Sequence, residues 1–369
     1  MAKKIRLVCT AAAIVPLTML AAACGSSSPS TTSASSSPAP AAANATGKEI
    51  SETGSSLLFP LFGSWQNDYS TANPNITITS GSTGSGTGIA DASQGLVNIG
   101  ASDAYLSSKD TSQFPGLINI PLTVAAVMVN YNVPGVKAPL DLNGTVLAGI
   151  YTGKITKWND PAIAALNKGV NLPSDPIVTL HRADGSGSTF LFTSYLNAQD
   201  PSAWPATNVN TTITWPSAPG ALAETGSGAM VSTCGTTKGC IAYIGISYLA
   251  KTQAATLGEA SLSNGTGSFT QPTTASINAA LSSFPAAPAS GAEPLINSKA
   301  AAGYPIINYE YAVVNKTQPS AAEATAIKAF LNWIVTTGNT SKYLSTVNFE
   351  PLPSATVTVA TNLINSISG

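Results

Sequence analysis

The chain is poor in charge. Asp, Glu, Lys and Arg make up only 9% of its 369 residues, against about 25% in an average soluble domain. It holds two arginines, Arg6 and Arg182, and one histidine, His181. Binding a nucleic-acid backbone needs clustered Lys and Arg; here the lysines are scattered and the net charge is −1, which argues against a nucleic-acid partner. A nucleophilic serine would have only His181 to serve as its base. No Gly-x-Ser-x-Gly elbow, Gly-x-x-x-x-Gly-Lys loop or short-spaced group of metal ligands occurs, so acyl transfer, nucleotide hydrolysis and metal-assisted hydrolysis lack their usual parts. The expectation is a protein that is not an enzyme and holds no metal and no cofactor.

Long apolar runs are scarce too: after residue 48 none reaches the length of a membrane span. Before it, Lys3, Lys4 and Arg6 precede the apolar stretch Leu7 to Leu20, and Ala21, Ala22 and Ala23 lead to Cys24. Small residues ending at a cysteine read as a bacterial lipoprotein signal over residues 1–23, with Cys24 as lipid acceptor. Ala21 stands where Leu is usual, and ordinary secretion is the alternative. Residues 24–48 are mostly Ser, Thr, Pro and Ala and read as a disordered tether. Two acyl chains on Cys24 would hold the protein to the outer face of the cell membrane, where one would hold it only marginally. Without residues 1–23 the chain has 13 basic against 17 acidic side chains, a net charge of −4, and Arg182 is its sole arginine.

Of four cysteines, Cys9 would leave with the signal and Cys24 would carry lipid. Cys234 and Cys240 remain as a close pair in an oxidising compartment and are expected to form a disulfide.

From residue 49 onward, short β-branched or apolar runs alternate with helical stretches, which points to α/β layers, and the length to two domains. Expected strands are Ile76–Ser80, Leu96–Ala101, Val124–Asn132, Ile177–His181 and Cys240–Ile244. Expected helices are Leu57–Tyr69, Gly88–Gln94, Thr145–Thr152, Pro161–Leu166, Thr189–Asn197, Ser276–Leu281 and Ala321–Thr337, the last with legible caps. Thr207–Asn210 and Gly258–Thr274 read as surface loops.

Three segments share one local pattern, small hydroxyl residues and glycines where a helix begins: Thr53-Gly54-Ser55-Ser56-Leu57, Ser80-Gly81-Ser82-Thr83-Gly84-Ser85-Gly86, and Arg182-Ala183-Asp184-Gly185-Ser186-Gly187-Ser188. Unpaired N–H groups and the helix dipole let such a start hold an anion without a cationic side chain. Ordinary capping explains any one of them equally well. In the third, Asp184 could orient the Arg182 guanidinium towards a ligand, or the two could form a structural ion pair. Asp103 follows a strand, where open α/β sheets place ligands, though a cap or turn role fits it as well. An ionised carboxylate only accepts, so beside an anion it favours one that carries an O–H; phosphate does near neutral pH and sulfate does not.

Read together with Ile99-Gly100-Ala101-Ser102-Asp103-Ala104 and Ile155-Thr156-Lys157-Trp158-Asn159-Asp160-Pro161, the segments above and Leu58-Phe59-Pro60, Gly84-Ser85-Gly86 and His181 to Phe190 come in the order of the PstS family of phosphate-binding proteins. The chain from about residue 50 to its end resembles that family, most closely its mycobacterial and actinobacterial lipoprotein form. The resemblance implies a hinged two-domain periplasmic-binding-protein fold of the type II kind, with the ligand cleft between the domains. Domain I would comprise residues 49–128 and 306–369, and domain II residues 129–305. Phosphate would be bound by Ser55, Ser56 and Leu57 in the first loop, Ser85 in the second, Asp103 as acceptor of the ligand's proton, Arg182 steadied by Asp184, and Ser186, Gly187 and Ser188 at a helix start. An extra residue in the first loop leaves Ser55 and Ser56 both as candidates for the main hydroxyl donor, and Ser188 stands where many relatives have Thr or Asp. The Trp158 segment is read as packing, and Cys234 and Cys240 as a brace within domain II. Implied partners are inorganic phosphate and the permease and ATPase subunits of an ATP-driven importer, served by a monomer. A binder of another oxyanion, or a surface adhesin on the same scaffold, is the alternative.

Overall fold

The computed structural model describes residues 48–136 and 138–369. The expected signal segment 1–23, Cys9, Cys24 and the tether as far as residue 47 lie outside the described residues. The described chain opens with β1 (Lys48–Gly54), so Lys48, the last residue of the expected tether, is already in a strand. There follow α1 (Phe59–Ala72), β2 (Ile76–Thr79), α2 (Ser85–Gln94), β3 (Ile99–Ser102), α3 (Ser108–Gln113) and the 15-residue β4 (Leu117–Tyr131). Next come β5 (Asp141–Leu142), α4 (Gly144–Tyr151), α5 (Pro161–Leu166), β6 (Val178–Arg182), α6 (Gly187–Gln199), β7 (Leu222–Glu224), α7 (Gly226–Thr236) and β8 (Cys240–Gly245). The rest comprises α8 (Leu249–Ala254), β9 (Gly258–Glu259), β10 (Ser261–Ser263), β11 (Phe269–Thr270), α9 (Thr274–Leu281), β12 (Ile307–Asn315), α10 (Ala321–Thr336), α11 (Ser341–Leu344) and α12 (Ser354–Asn365).

The main sheet runs β2-β1-β3-β12-β4-β8-β6-β7, with β9 also paired to β4. β1 is parallel to both its neighbours and so is β6, whereas β12 and β4 run antiparallel through the middle. β4 carries the chain across: Leu117 to Ala126 pair with β12, and Val127 to Tyr131 pair with β8. Its mostly apolar run is buried except at half-buried Ile118, as expected of a strand covered on both faces. Pro121 is tolerated inside it because the register with β12 shifts there, between Glu310 and Tyr311; a bulge relieves the missing N–H and re-aims nearby side chains.

Helices α2 and α6 begin at Ser85 and Gly187, earlier than the expected Gly88 and Thr189. Glycine and serine are poor helix formers, but the first turn makes no i−4 bonds, so propensity counts least there. The expected loop at Gly258–Thr274 is corrected: it holds β9, β10 and β11, with Leu262 and Asn264 buried. Thr207 and Asn208 lie in a single 3₁₀ turn. Helix α10 is capped as its sequence suggests, Glu323 N–H donating to Ser320 Oγ at 3.2 Å. Trp158 is packing, as read: its ring lies 5.7 Å from that of Tyr131 and its Nε1 donates to Gly239 O at 3.0 Å. Cys234 and Cys240 form the expected disulfide, with 5.4 Å between their Cα atoms, joining the end of α7 to the start of β8.

Glu52 is buried in β1, and its Oε2 has no hydrogen-bond partner. Burial pushes its carboxyl up to about 8, against a backbone hydrogen bond at Gly81 that pulls it down. The folded form thus holds this proton more tightly than the unfolded chain, whose Glu titrates near 4.5. Stability contributed by this group is complete below that value and is lost as pH rises towards about 8, by about 1.4 kcal/mol for each pH unit. Urea unfolding at pH 5 and pH 8.5 should therefore show Glu52→Gln gaining on the wild type as pH rises; a gap that stays constant would refute the assignment.

Candidate functional site

The segments singled out in the sequence meet where the β1–β3 half of the sheet faces the β6–β8 half. Asp103, just after β3, is buried. Its Oδ1 accepts from Ser55 Oγ and, at 3.3 Å, from Ser85 Oγ, while its Oδ2 accepts from Ser188 Oγ at 2.8 Å. These serines come from the turn after β1 and the starts of α2 and α6. Two glycines allow the approach. A Cβ on Gly187 would stand 2.6 Å from Asp103 Cβ and 2.7 Å from Ser85 Oγ, and Gly84, at φ +95°, has Asp184 Oδ2 where its Cβ would be.

Arg182 is the second centre, its side chain buried. Nε donates to Asp184 Oδ1 at 2.6 Å and Nη2 donates to Asp184 Oδ2, a bidentate fork, leaving Nη1 to donate to Ser56 Oγ at 3.1 Å. Burial opposes ionisation of Asp184, yet Arg182 and the Gly226 N–H hold its carboxyl below the usual range. Ser55 and Ser56 thus divide the work: Ser55 faces Asp103, and Ser56 faces Arg182. Leu57 packs its side chain on Gly245, and its carbonyl accepts from Ser247 Oγ at 2.7 Å. Ser186 caps α6, its Oγ accepting from Thr189 N–H at 3.3 Å. Among the described residues, no backbone carbonyl accepts from the N–H groups of Ser56, Leu57, Ser85, Gly187 or Ser188. The starts of three segments thus offer donors beside one arginine and one carboxylate, a set suited to an oxyanion that carries a proton.

The two halves touch directly. Ser188 to Asp103, Arg182 to Ser56 and Gly86 N–H to Gly185 O at 2.9 Å all cross the cleft, and the rings of Tyr105 and Phe190 meet edge to face at 5.3 Å.

His181 alternates with Arg182 along β6 and so points to the other face. Its ring packs 4.9 Å from that of Trp215, and burial lowers its pKa. Three participants escaped the sequence reading. Ser227 Oγ lies 2.8 Å from Ser56 Oγ, and its N–H donates to the same oxygen at 3.2 Å. It sits in Thr225-Gly226-Ser227-Gly228, a fourth segment of the hydroxyl–glycine pattern, which was the available signal. Tyr243 holds the β6 end in place, accepting from Arg182 N–H at 2.9 Å with Thr189 Oγ1 2.7 Å away. Glu310 on β12 is fully buried, with Oε2 3.3 Å from Ser55 Oγ and Oε1 accepting from Asn308 Nδ2 at 2.8 Å. Burial, and then the charge of Asp103, push its carboxyl far above the usual carboxylate range.

The PBP superfamily domain model matches residues 39–337. The phosphate-binding protein PstS of Xylella fastidiosa is 32% identical over 307 residues, which cover 83% of this chain and 82% of that protein. The chain belongs to the PstS family of phosphate-binding proteins. The resemblance read from its motifs is borne out. This is a family of binding proteins, not of enzymes. PstS3 of Mycobacterium bovis is 28% identical over 87% of each chain. In fold, the chain is similar to the crystal structure of a phosphate-binding protein from Stenotrophomonas maltophilia, with a TM-score of 0.66 and 21% identity, covering 85% of this chain and 93% of that one. The expected mixed α/β architecture of a PstS protein is therefore the one observed.

Proposed function

We propose that the protein captures inorganic phosphate in this cleft and delivers it to the permease and ATPase subunits of an ATP-driven phosphate importer. The observation that supports this most is Asp103, a buried acceptor ringed by Ser55, Ser85 and Ser188 from three separate segments. On binding, the O–H of phosphate donates to Asp103. The hydroxyls of Ser55 or Ser56, Ser85 and Ser188, and the N–H groups of Leu57, Gly187 and Ser188, donate to the other oxygens. Arg182, held by Asp184, supplies the positive charge, and Ser186 holds the start of α6. The contacts that now cross the cleft are exchanged for contacts to phosphate, and release requires the halves to part.

For this motion the working division is residues 49–128 with 306–369 against residues 129–305, hinged within β4 and where the chain returns just before β12. Among the described residues no helix is long and apolar enough to cross a membrane. Anchoring outside the cell membrane through a lipid on Cys24, as a monomer, completes the proposal.

The low charge of the chain makes long-range steering weak, so affinity rests on short donors inside a closed cleft. Equilibrium dialysis with labelled phosphate should give one site per chain, little displaced by excess sulfate and little weakened by added sodium chloride. Displacement by sulfate at equal concentration, or a steep fall with salt, would count against it.

A further inference from the structure

Ser55 Oγ has more claims on it than one hydroxyl can meet as a donor. Leu58 N–H donates to it at 2.9 Å, it donates to Asp103 Oδ1, and Glu310 Oε2 stands 3.3 Å away. A hydroxyl has one proton. With that proton given to Asp103, the contact to Glu310 is a hydrogen bond only if Oε2 carries a proton of its own; otherwise two carboxylates and a lone pair face one another in a fully buried place. The remaining contact favours Oε2 as the protonated oxygen: Asn308 Nδ2 donates to Oε1 at 2.8 Å, which suits the better acceptor, the carbonyl oxygen, and leaves Oε2 as the O–H. The register shift at Glu310 and Tyr311 sets this geometry by turning Glu310 towards the end of β3, and Asn308, two residues earlier on the same face of β12, lies alongside. The charged group that faces Glu310 is Asp103, whose carboxylate is itself within side-chain hydrogen-bonding reach of the Glu310 carboxyl, so a proton on Glu310 serves the Ser55–Asp103 pair as a whole; Ser55 and Asn308 are its other polar neighbours.

We infer that Glu310 is a positioning residue of the phosphate site, a neutral carboxylic acid that donates to Ser55 and so commits the Ser55 hydroxyl to Asp103. This rests on the reading of the cleft as a phosphate site. It gives the pair a single negative charge, located on Asp103, and fixes which group accepts from the ligand. Two ionised carboxylates there would repel a dianion and each other. Glu310 is thereby a selectivity determinant that need not touch phosphate.

The test compares the wild type with Glu310→Gln and Glu310→Met. Gln keeps a donor near Ser55 and an acceptor for Asn308, whereas Met keeps only the bulk. The infrared difference spectrum of wild type minus Glu310→Gln at neutral pH should show the C=O band of one protonated carboxyl; buried Glu52, common to both, cancels. By calorimetry, Glu310→Gln should bind phosphate within about threefold of wild type, and Glu310→Met about tenfold more weakly or worse. The proposal is overturned by a difference spectrum without that band, by equal affinities of the two variants, or by a gain of about tenfold or more in Glu310→Gln, the mark of an ionised Glu310. The infrared band reports the proton whether or not phosphate binds. A wild type that shows the band but binds no phosphate therefore refutes the function proposed for the cleft, and with it the role of Glu310 as a selectivity determinant, while the protonation itself stands.

Discussion

Asp103→Asn should lose most of the preference for phosphate over sulfate while folding normally. The substitution keeps the side chain's size in a buried place where three serine hydroxyls end. What changes is hydrogen-bond polarity: one acceptor oxygen becomes an NH₂ donor. Phosphate's O–H then loses its partner, and sulfate no longer confronts a buried carboxylate to which it offers no proton. A site that leaves a buried polar group unpaired with the wrong ligand discriminates by roughly 10⁴, so the variant should lose about two orders of magnitude of the phosphate-to-sulfate affinity ratio. Competition calorimetry reads that ratio directly. If it does not change, Asp103 is a structural acceptor for the serines and plays no part in choosing the ligand.

The second large effect is expected at Arg182→Lys. Arginine serves two directions at once, Nε and Nη2 locked on Asp184 while Nη1 reaches Ser56. Lysine keeps the charge but offers one point in place of a fork. The cost of a charge-assisted hydrogen bond, about 1.5–3 kcal/mol, corresponds to roughly 10- to 150-fold weaker phosphate binding. Removing the charge altogether is a poorer experiment, because it would leave Asp184 as an uncompensated, mostly buried carboxylate and destabilise the fold. Affinity within threefold of wild type in Arg182→Lys would mean that the guanidinium braces Asp184 and does not hold the ligand.

The site was legible where its chemistry is local. Serines and glycines at a helix start announce themselves in a few consecutive residues, and Arg182 and Asp184 are two positions apart, so the three segments and the ion pair could be read directly. Ser227 repeats the same pattern and stayed unread because one such segment is equally well a cap. Glu310 could not be read, since its role depends on β12 lying between β3 and β4 and on a register shift in that pairing, which no short stretch encodes. The same reason hid β1 and β12 from the periodicity: Glu52 and Glu310 break their apolar pattern, yet both are buried. The division between Ser55 and Ser56 is likewise set by the fold, because neighbouring serines in a turn differ only in direction.

The most direct test of the account is calorimetric titration of phosphate, and then sulfate, into protein unfolded, freed of carried-over phosphate and refolded. One-to-one binding of phosphate with no measurable heat from sulfate is the result the arrangement around Asp103 and Arg182 predicts. Comparable binding of both anions, or silence with both in a folded sample, would contradict it.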